Sequence, residues 1–156
     1  MCVDKNNMET TRIESYQEID LYLTKLKYAL DNGASINIQM ERQVDKGREP
    51  RYSNAHTLQT LFPDEEPKAA IAREIRSLTP ANYIRTVKDA RFPNRDDFRE
   101  FGKTYNQNDD VYIKVRVELI SGDGGKHVFV MSFHFAVYPF DDKTFPYGKE
   151  EQDGSN

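Results

Sequence analysis

Apolar residues recur at three- and four-residue intervals from Tyr16 to Leu30 (Ile19, Leu21, Leu23, Leu26, Tyr28, Ala29, Leu30), and Asn32-Gly33 supplies a stop. That spacing predicts a helix. From Ser35 to Arg42 the pattern changes: Ile36, Ile38 and Met40 alternate with Asn37, Gln39 and Glu41, as in a half-buried strand. A loop rich in Gly, Arg and Pro is expected to run on to about Tyr52. Thr57 to Phe62 reads as a short helical turn. Pro63-Asp64 opens a helix over Glu65 to Leu78, with acids in its first turn and Arg73 and Arg76 near its end. Thr79-Pro80 has the cap-then-proline form that restarts a helix, expected to reach about Val87. Lys88 to Asp97, with Pro93 and little pattern, reads as a loop. Three strands follow, at Phe98 to Tyr105, Asp110 to Ile120 and Lys126 to Val137, with turns at Asn106 to Asp109 and Ser121 to Gly125. The fold class expected is α+β: an antiparallel sheet of three to four strands with helices on one face. Residues 1–14 are expected to be a flexible tail and 15–147 a single domain. Residues 148–156 read as a flexible acidic tail, with the chain trailing into solvent beyond Pro139.

The last two strands carry most of the functional information. In Val111 to Leu119 the odd positions are Val, Ile, Val, Val and Leu, and the even ones are Tyr112, Lys114, Arg116 and Glu118. Side chains alternate faces along a strand, so one face is core and the other polar. In Phe129 to Val137 the odd positions are again apolar (Phe129, Met131, Phe133, Phe135, Val137), which puts Ser132 and His134 on the polar side. Core faces must coincide in a paired sheet, and closing Ile120 on Lys126 fixes the register. Tyr112 then lies opposite His134 and Lys114 opposite Ser132, with Arg116 diagonal to Ser132. A slip of two residues would keep the face and change the partners. Such a patch has chemistry: the cations hold a phosphate, and His or Tyr moves protons, which suits phosphodiester cleavage. Long polar residues on a solvated sheet face also need no function at all.

Composition narrows the classes. At 156 residues the chain fits one domain, and nine Phe and nine Tyr supply core volume to a sequence only 37% hydrophobic and 31% charged. One cysteine, Cys2, allows no internal disulfide, and no leader-like segment or long apolar run is present. A cytoplasmic protein with no membrane contact is expected. The net charge of -4 gives no general pull toward nucleic acid. It is uneven, however: Arg73 to Arg116 holds ten Lys/Arg against seven Asp/Glu. No P-loop, dinucleotide fingerprint, zinc spacing or nucleophile elbow occurs, and neither a metal nor another cofactor is expected. Asp109-Asp110 and Asp141-Asp142 could touch a cation, but adjacent strand residues point apart. The other acids read as caps and solvated charges.

Ile75 to Tyr147 contains Ile-Arg-Ser-Leu-Thr, Asn82-Tyr83, Phe101-Gly102-Lys103, Val111-Tyr-Ile-Lys114, Ser132-Phe-His134 and Tyr138-Pro139, in that order. This segment resembles the MqsR-type toxins of bacterial toxin–antitoxin systems, especially their larger Gram-positive relatives. The resemblance covers about half the chain. It implies a RelE-like fold, metal-free cleavage of single-stranded mRNA, and control by a cognate antitoxin protein. Carried over residue by residue, it points to Arg85, to Arg99 or Lys103, and to Tyr112 with Lys114 nearby. The family commonly has lysine where this chain has Arg85, which clamps phosphate but is no general base at neutral pH. The candidate catalytic set is therefore Tyr112, His134 and Arg85. The candidate RNA-binding set is Lys103, Lys114, Arg99, Arg116 and Ser132, with Tyr105 or Tyr138 to stack a base. A rival of another class is a noncatalytic interaction protein that uses the same sheet face as a docking surface for a protein partner. A small-molecule binder with Phe135 to Tyr147 as a pocket wall is a third.

Overall fold

Ser15 starts the first helix: its Oγ accepts from Glu18 N at 3.1 Å while Glu18 Oε1 accepts from Ser15 N at 2.8 Å, a reciprocal cap that satisfies two orphan donors. Ile19, Tyr22, Leu23, Leu26 and Ala29 then form one buried stripe, and Gly33, at φ 82°, ends the turn beyond. The computed structural model describes residues 9–40, 49–90, 92–119 and 126–148. Within them the elements are β1 (Glu9–Arg12), α1 (Tyr16–Asp31), β2 (Ser35–Ile38), α2 (Asn54–Leu61), α3 (Pro67–Arg76), β3 (Tyr83–Asp89), β4 (Phe98–Tyr105), β5 (Asp109–Leu119) and β6 (Lys126–Phe135). Single 3-10 turns sit at Pro50–Tyr52 and Pro80–Asn82.

The class is α+β, but the sheet is larger and less uniform than the sequence suggests. Six strands run in the order β1-β3-β4-β5-β6-β2, all neighbours antiparallel except β2, which lies parallel to β6. Two elements differ in kind from the expectation. First, Thr79 and Asn82 do cap one another, Thr79 N donating to Asn82 Oδ1 at 2.9 Å, but the helix lasts only one turn. Tyr-Ile-Arg-Thr-Val is aromatic and β-branched, and it continues as β3. Second, Glu9–Arg12, expected to be part of a frayed tail, is the edge strand beside β3. Residues 1–8, the turn at 121–125 and residues 149–156 lie outside the described residues, as do Glu41 and Arg42 of the expected second strand. The helix expected from Glu65 starts at Pro67, because Glu66 is the cap: its carboxylate accepts from Ala69 N at 2.9 Å and Lys68 N at 3.2 Å.

Residues of all three helices bury against one face of the sheet. Leu26, Leu58, Ile71 and Ile75 meet Phe101, Ile113, Val115, Val130 and Phe133 in a single core. Each such large side chain contributes about 1.5–3 kcal/mol when fully buried. The segment after β6 does not trail away at once. Phe140 N donates to Asp110 Oδ2 at 2.8 Å, and the Phe140 and Phe145 rings pack edge to face over Gly102. Tyr147 then stacks on Tyr83 and donates from its hydroxyl to Glu14 O at 2.6 Å, joining residues 133 apart in sequence.

The β5–β6 register matches the expected one for its first half only. Tyr112 pairs with His134 and Lys114 with Ser132, but a bulge between Lys114 and Val115 then shifts the pairing to Val115↔Val130 and Arg116↔Phe129. In consequence Val128 and Val130 are buried in the helix-side core, and Phe129 turns to the other face. Phe129 and Met131 are thus not core-face residues as expected. Asn54 at the start of α2 fills the irregular stretch: its Nδ2 donates to Met131 O (3.0 Å) and Gln39 O (2.8 Å), and its Oδ1 accepts from Phe133 N (2.9 Å). Thr57 Oγ1 accepts from Phe135 N at 3.0 Å. Helix α2 thereby satisfies the β6 edge where β2 stops, removing an open strand edge.

Candidate functional site

On the sheet face away from the main core, side chains from four strands fall into rows. One row is Gly102, Tyr112 and His134; the next is Arg85, Glu100, Lys114 and Ser132. Below it Phe98 carries the Arg116 guanidinium 4.3 Å from its ring centroid, and Phe129 lies 5.3 Å from the same guanidinium. The rows follow from strand pairing, since residues directly opposite across a ladder share a face.

Glu100 is the hinge of the middle row. Its Oε1 accepts from Arg85 Nε at 2.7 Å, and its Oε2 lies 4.0 Å from Lys114 Nζ. Burial alone would weaken the Arg85 charge, but the Glu100 carboxylate and the Tyr112 hydroxyl, which accepts a hydrogen bond from Arg85, more than offset it and hold the guanidinium above its ordinary value. Two cations against one carboxylate leave this row with one net positive charge. Above it the Tyr112 and His134 rings are 5.4 Å apart. His134 Nδ1 lies 2.9 Å from Phe135 O, and a carbonyl only accepts, so the proton of a neutral ring sits on Nδ1 and Nε2 carries the lone pair.

This face is not solvated in the way the alternation suggests. Glu100, Lys114, Ser132 and His134 are buried, whereas Tyr112 is half-buried and the Arg85 side chain is 49% exposed. Arg85 and Tyr112 are therefore the most exposed members of the cluster.

Three expected residues stand elsewhere. Lys103 points to the helix side, donating to Ser77 Oγ at 2.8 Å and pairing with Glu74 at 3.3 Å. Arg99 is likewise on that side, forked onto Glu14 at 2.9 and 3.1 Å and stacked 4.4 Å from the Tyr22 ring centroid. Tyr105 donates to Glu74 Oε1 at 2.6 Å, and its ring packs against Phe62, Phe133 and the Lys103 ammonium. Arg116 shares the candidate face but is buried, its Nε 2.7 Å from Glu118 Oε2 in an ion pair too poorly aligned for a hydrogen bond. Ser132 falls opposite Lys114, as expected. Tyr138 is 77% exposed. Glu100 is the member that sequence reading misses. Its signal is the alternation Phe98, Glu100, Gly102, Thr104 along β4, which sets it apart from Arg99, Phe101 and Lys103.

No helix among the described residues is long and apolar enough to cross a membrane, and no group of three or more His, Cys, Asp and Glu there is placed to hold a metal ion. No known protein family, curated protein or solved structure matches the chain.

Proposed function

We propose that this chain is a metal-independent endoribonuclease of RelE-like architecture, akin to the MqsR-type toxins, acting on single-stranded mRNA in the cytoplasm under the control of an antitoxin protein. The observation that carries the reading is the cross-strand cluster in which Tyr112, His134, Arg85, Glu100 and Lys114 share one sheet face.

The chemistry needs a base, an acid and a cation. His134 Nε2 takes the proton of a ribose 2′-hydroxyl, whose oxygen attacks the adjacent phosphorus. The bond from phosphorus to the 5′-oxygen breaks, and that oxygen takes the Tyr112 proton. A 2′,3′-cyclic phosphate and a 5′-hydroxyl result. Arg85 and Lys114 stabilise the charge that builds on the phosphate oxygens, and Glu100 fixes the Arg85 fork. Arg85 thus serves as clamp and needs no lysine-like proton transfer.

The test is incubation of the purified protein with single-stranded RNA in the presence of a chelator. Fragments ending in cyclic phosphate are expected. Tyr112→Phe and His134→Ala should each slow their release by about 10²–10⁴-fold. Lys103→Ala, on the opposite face, should leave the rate within a few-fold of wild type. No fragments at high protein concentration would refute the enzyme. The burial of Lys114 and His134 favours the second reading, a docking face, and recovery of a tight protein partner by an inactive chain would then select it.

A further inference from the structure

A cleft of about 240 Å³ opens on the same face as the catalytic rows. Its described lining includes Phe92, Phe98, Phe129 and Met131, with Gln39, Asp89, Arg95 and Arg116 supplying the polar groups. It shares a wall with the cluster above: Lys114 Nζ is 5.1 Å from the Phe98 ring centroid.

Size, shape and charge each restrict the occupant. A volume near eight waters' share of liquid is small for a drug-sized ligand and suits one or two fused rings. The walls are flat. The Arg116 guanidinium lies against Phe98 and Phe129, Phe129 is half-buried, and Phe92 is 51% exposed with the Arg95 guanidinium 5.3 Å from its centroid. Unpaired bases stack on aromatic rings and on arginine planes, and are read on their edges by polar groups. Charge separates this cleft from the row beside it. Arg95 and Arg116 both lie near Glu118, at 3.7 and 2.7 Å, and Asp89 adds a second carboxylate, so the described charges cancel. Among the described residues a phosphate therefore meets no net positive charge here, whereas an uncharged ring finds flat walls and hydrogen-bonding groups. The net positive row of Arg85 and Lys114 takes the phosphate.

We infer that this cleft is the base-selecting subsite of the molecule: it seats one unpaired nucleobase next to the phosphate held by Arg85 and Lys114, stacked on the Phe129 and Arg116 wall, with Gln39 and Asp89 at its edge. The inference rests on the ribonuclease reading for which phosphate is cut, but the occupancy of the cleft is measurable without cleavage.

Met131 provides the probe. In protein carrying ¹³C-methyl methionine, with the Met131 signal assigned through Met131→Leu, uncleavable 2′-O-methyl homopolymers of A, C, G and U are titrated in turn. At least one should shift the Met131 methyl saturably, with unequal affinity among the four. Phe129→Ala should weaken that binding about tenfold or more, the range of a lost base stack. On cleavable RNA the same change should raise KM, leave kcat nearly unchanged, and blur the base preference beside the cut. Phe92→Ala, at an exposed position, repeats the test should Phe129→Ala fail to fold. A saturable Met131 shift without cleavage would defeat the nuclease and uphold the cleft. Cleavage with an unmoved Met131 signal, and with unchanged base preference in both variants, would overturn the cleft. No shift and no cleavage would overturn both.

Discussion

A Cβ added at Gly102 would stand 2.6 Å from Phe140 Cε2, closer than real side chains approach, and a tight 3.0 Å from Phe145 Cζ, so the bare backbone and the two rings form one fitted arrangement. Gly102→Ala should therefore destabilise the protein by about 1–3 kcal/mol, as overpacking does. Urea unfolding measures it, and adding Phe140→Ala should return part of the loss, a coupling that a double-mutant cycle reads directly. The same scale shows what sequence reading resolves. Tyr112 opposite His134 and Lys114 opposite Ser132 were legible, because alternation and a hairpin turn constrain both strands. Lys103 and Arg99, which the family likeness joins to the site, lie on the helix side instead. Both alternate with Glu100 and Gly102 and share the side of Phe101, which is in the core. Glu100 is hard to single out from sequence because a carboxylate usually marks a cap or a solvated charge, whereas here it is buried between two cations.

Among the elements, β3 and the β6 bulge are hidden from the sequence for different reasons. Thr79-Pro80 is a true start signal, but the aromatic and β-branched run Tyr83 to Val87 after it favours a strand, and the cap does not outvote it. The bulge was invisible because Val128, Phe129, Val130 and Met131 are all apolar, so no polar residue marks where the phase slips. Helix α2 holds that stretch in place through Asn54. Asn54→Ala removes the partner of a buried amide and two carbonyls, and should cost about 1–3 kcal/mol. Native-state hydrogen exchange gives the sharper readout: the Phe133 amide should lose protection more than that of Ile113 in the middle of β5.

For the molecule as a whole, stability should depend on pH through two carboxylates on the helix side. Burial pushes Glu14 up, but hydrogen bonds from Arg99 and Thr86 and the charges of Arg99 and Arg12 outweigh it, leaving the group below its ordinary value of 4.5. Glu74 is held low in the same way, burial being outweighed by Tyr105, Arg73 and Lys103. A lowered folded value means the unfolded chain binds protons first as acid is added. The contribution is full above 4.5 and is lost as pH falls through the folded values. Tm should thus be nearly level from neutrality down to about pH 5 and drop below that, with a weaker drop in Glu14→Gln, itself less stable at neutral pH. Thermal melts across the range check both slopes.

The hydroxyl of Tyr147 resting on the carbonyl of Glu14 has a consequence for how the protein is made. Synthesis delivers β1 well before β3, its sheet neighbour, and the aromatic clamp at Tyr147 emerges later still. A chain cut short within the dozen residues that end at Tyr147 would keep its meander and the β1–β3 ladder but lose the clasp that ties the chain just past the first strand to Tyr147.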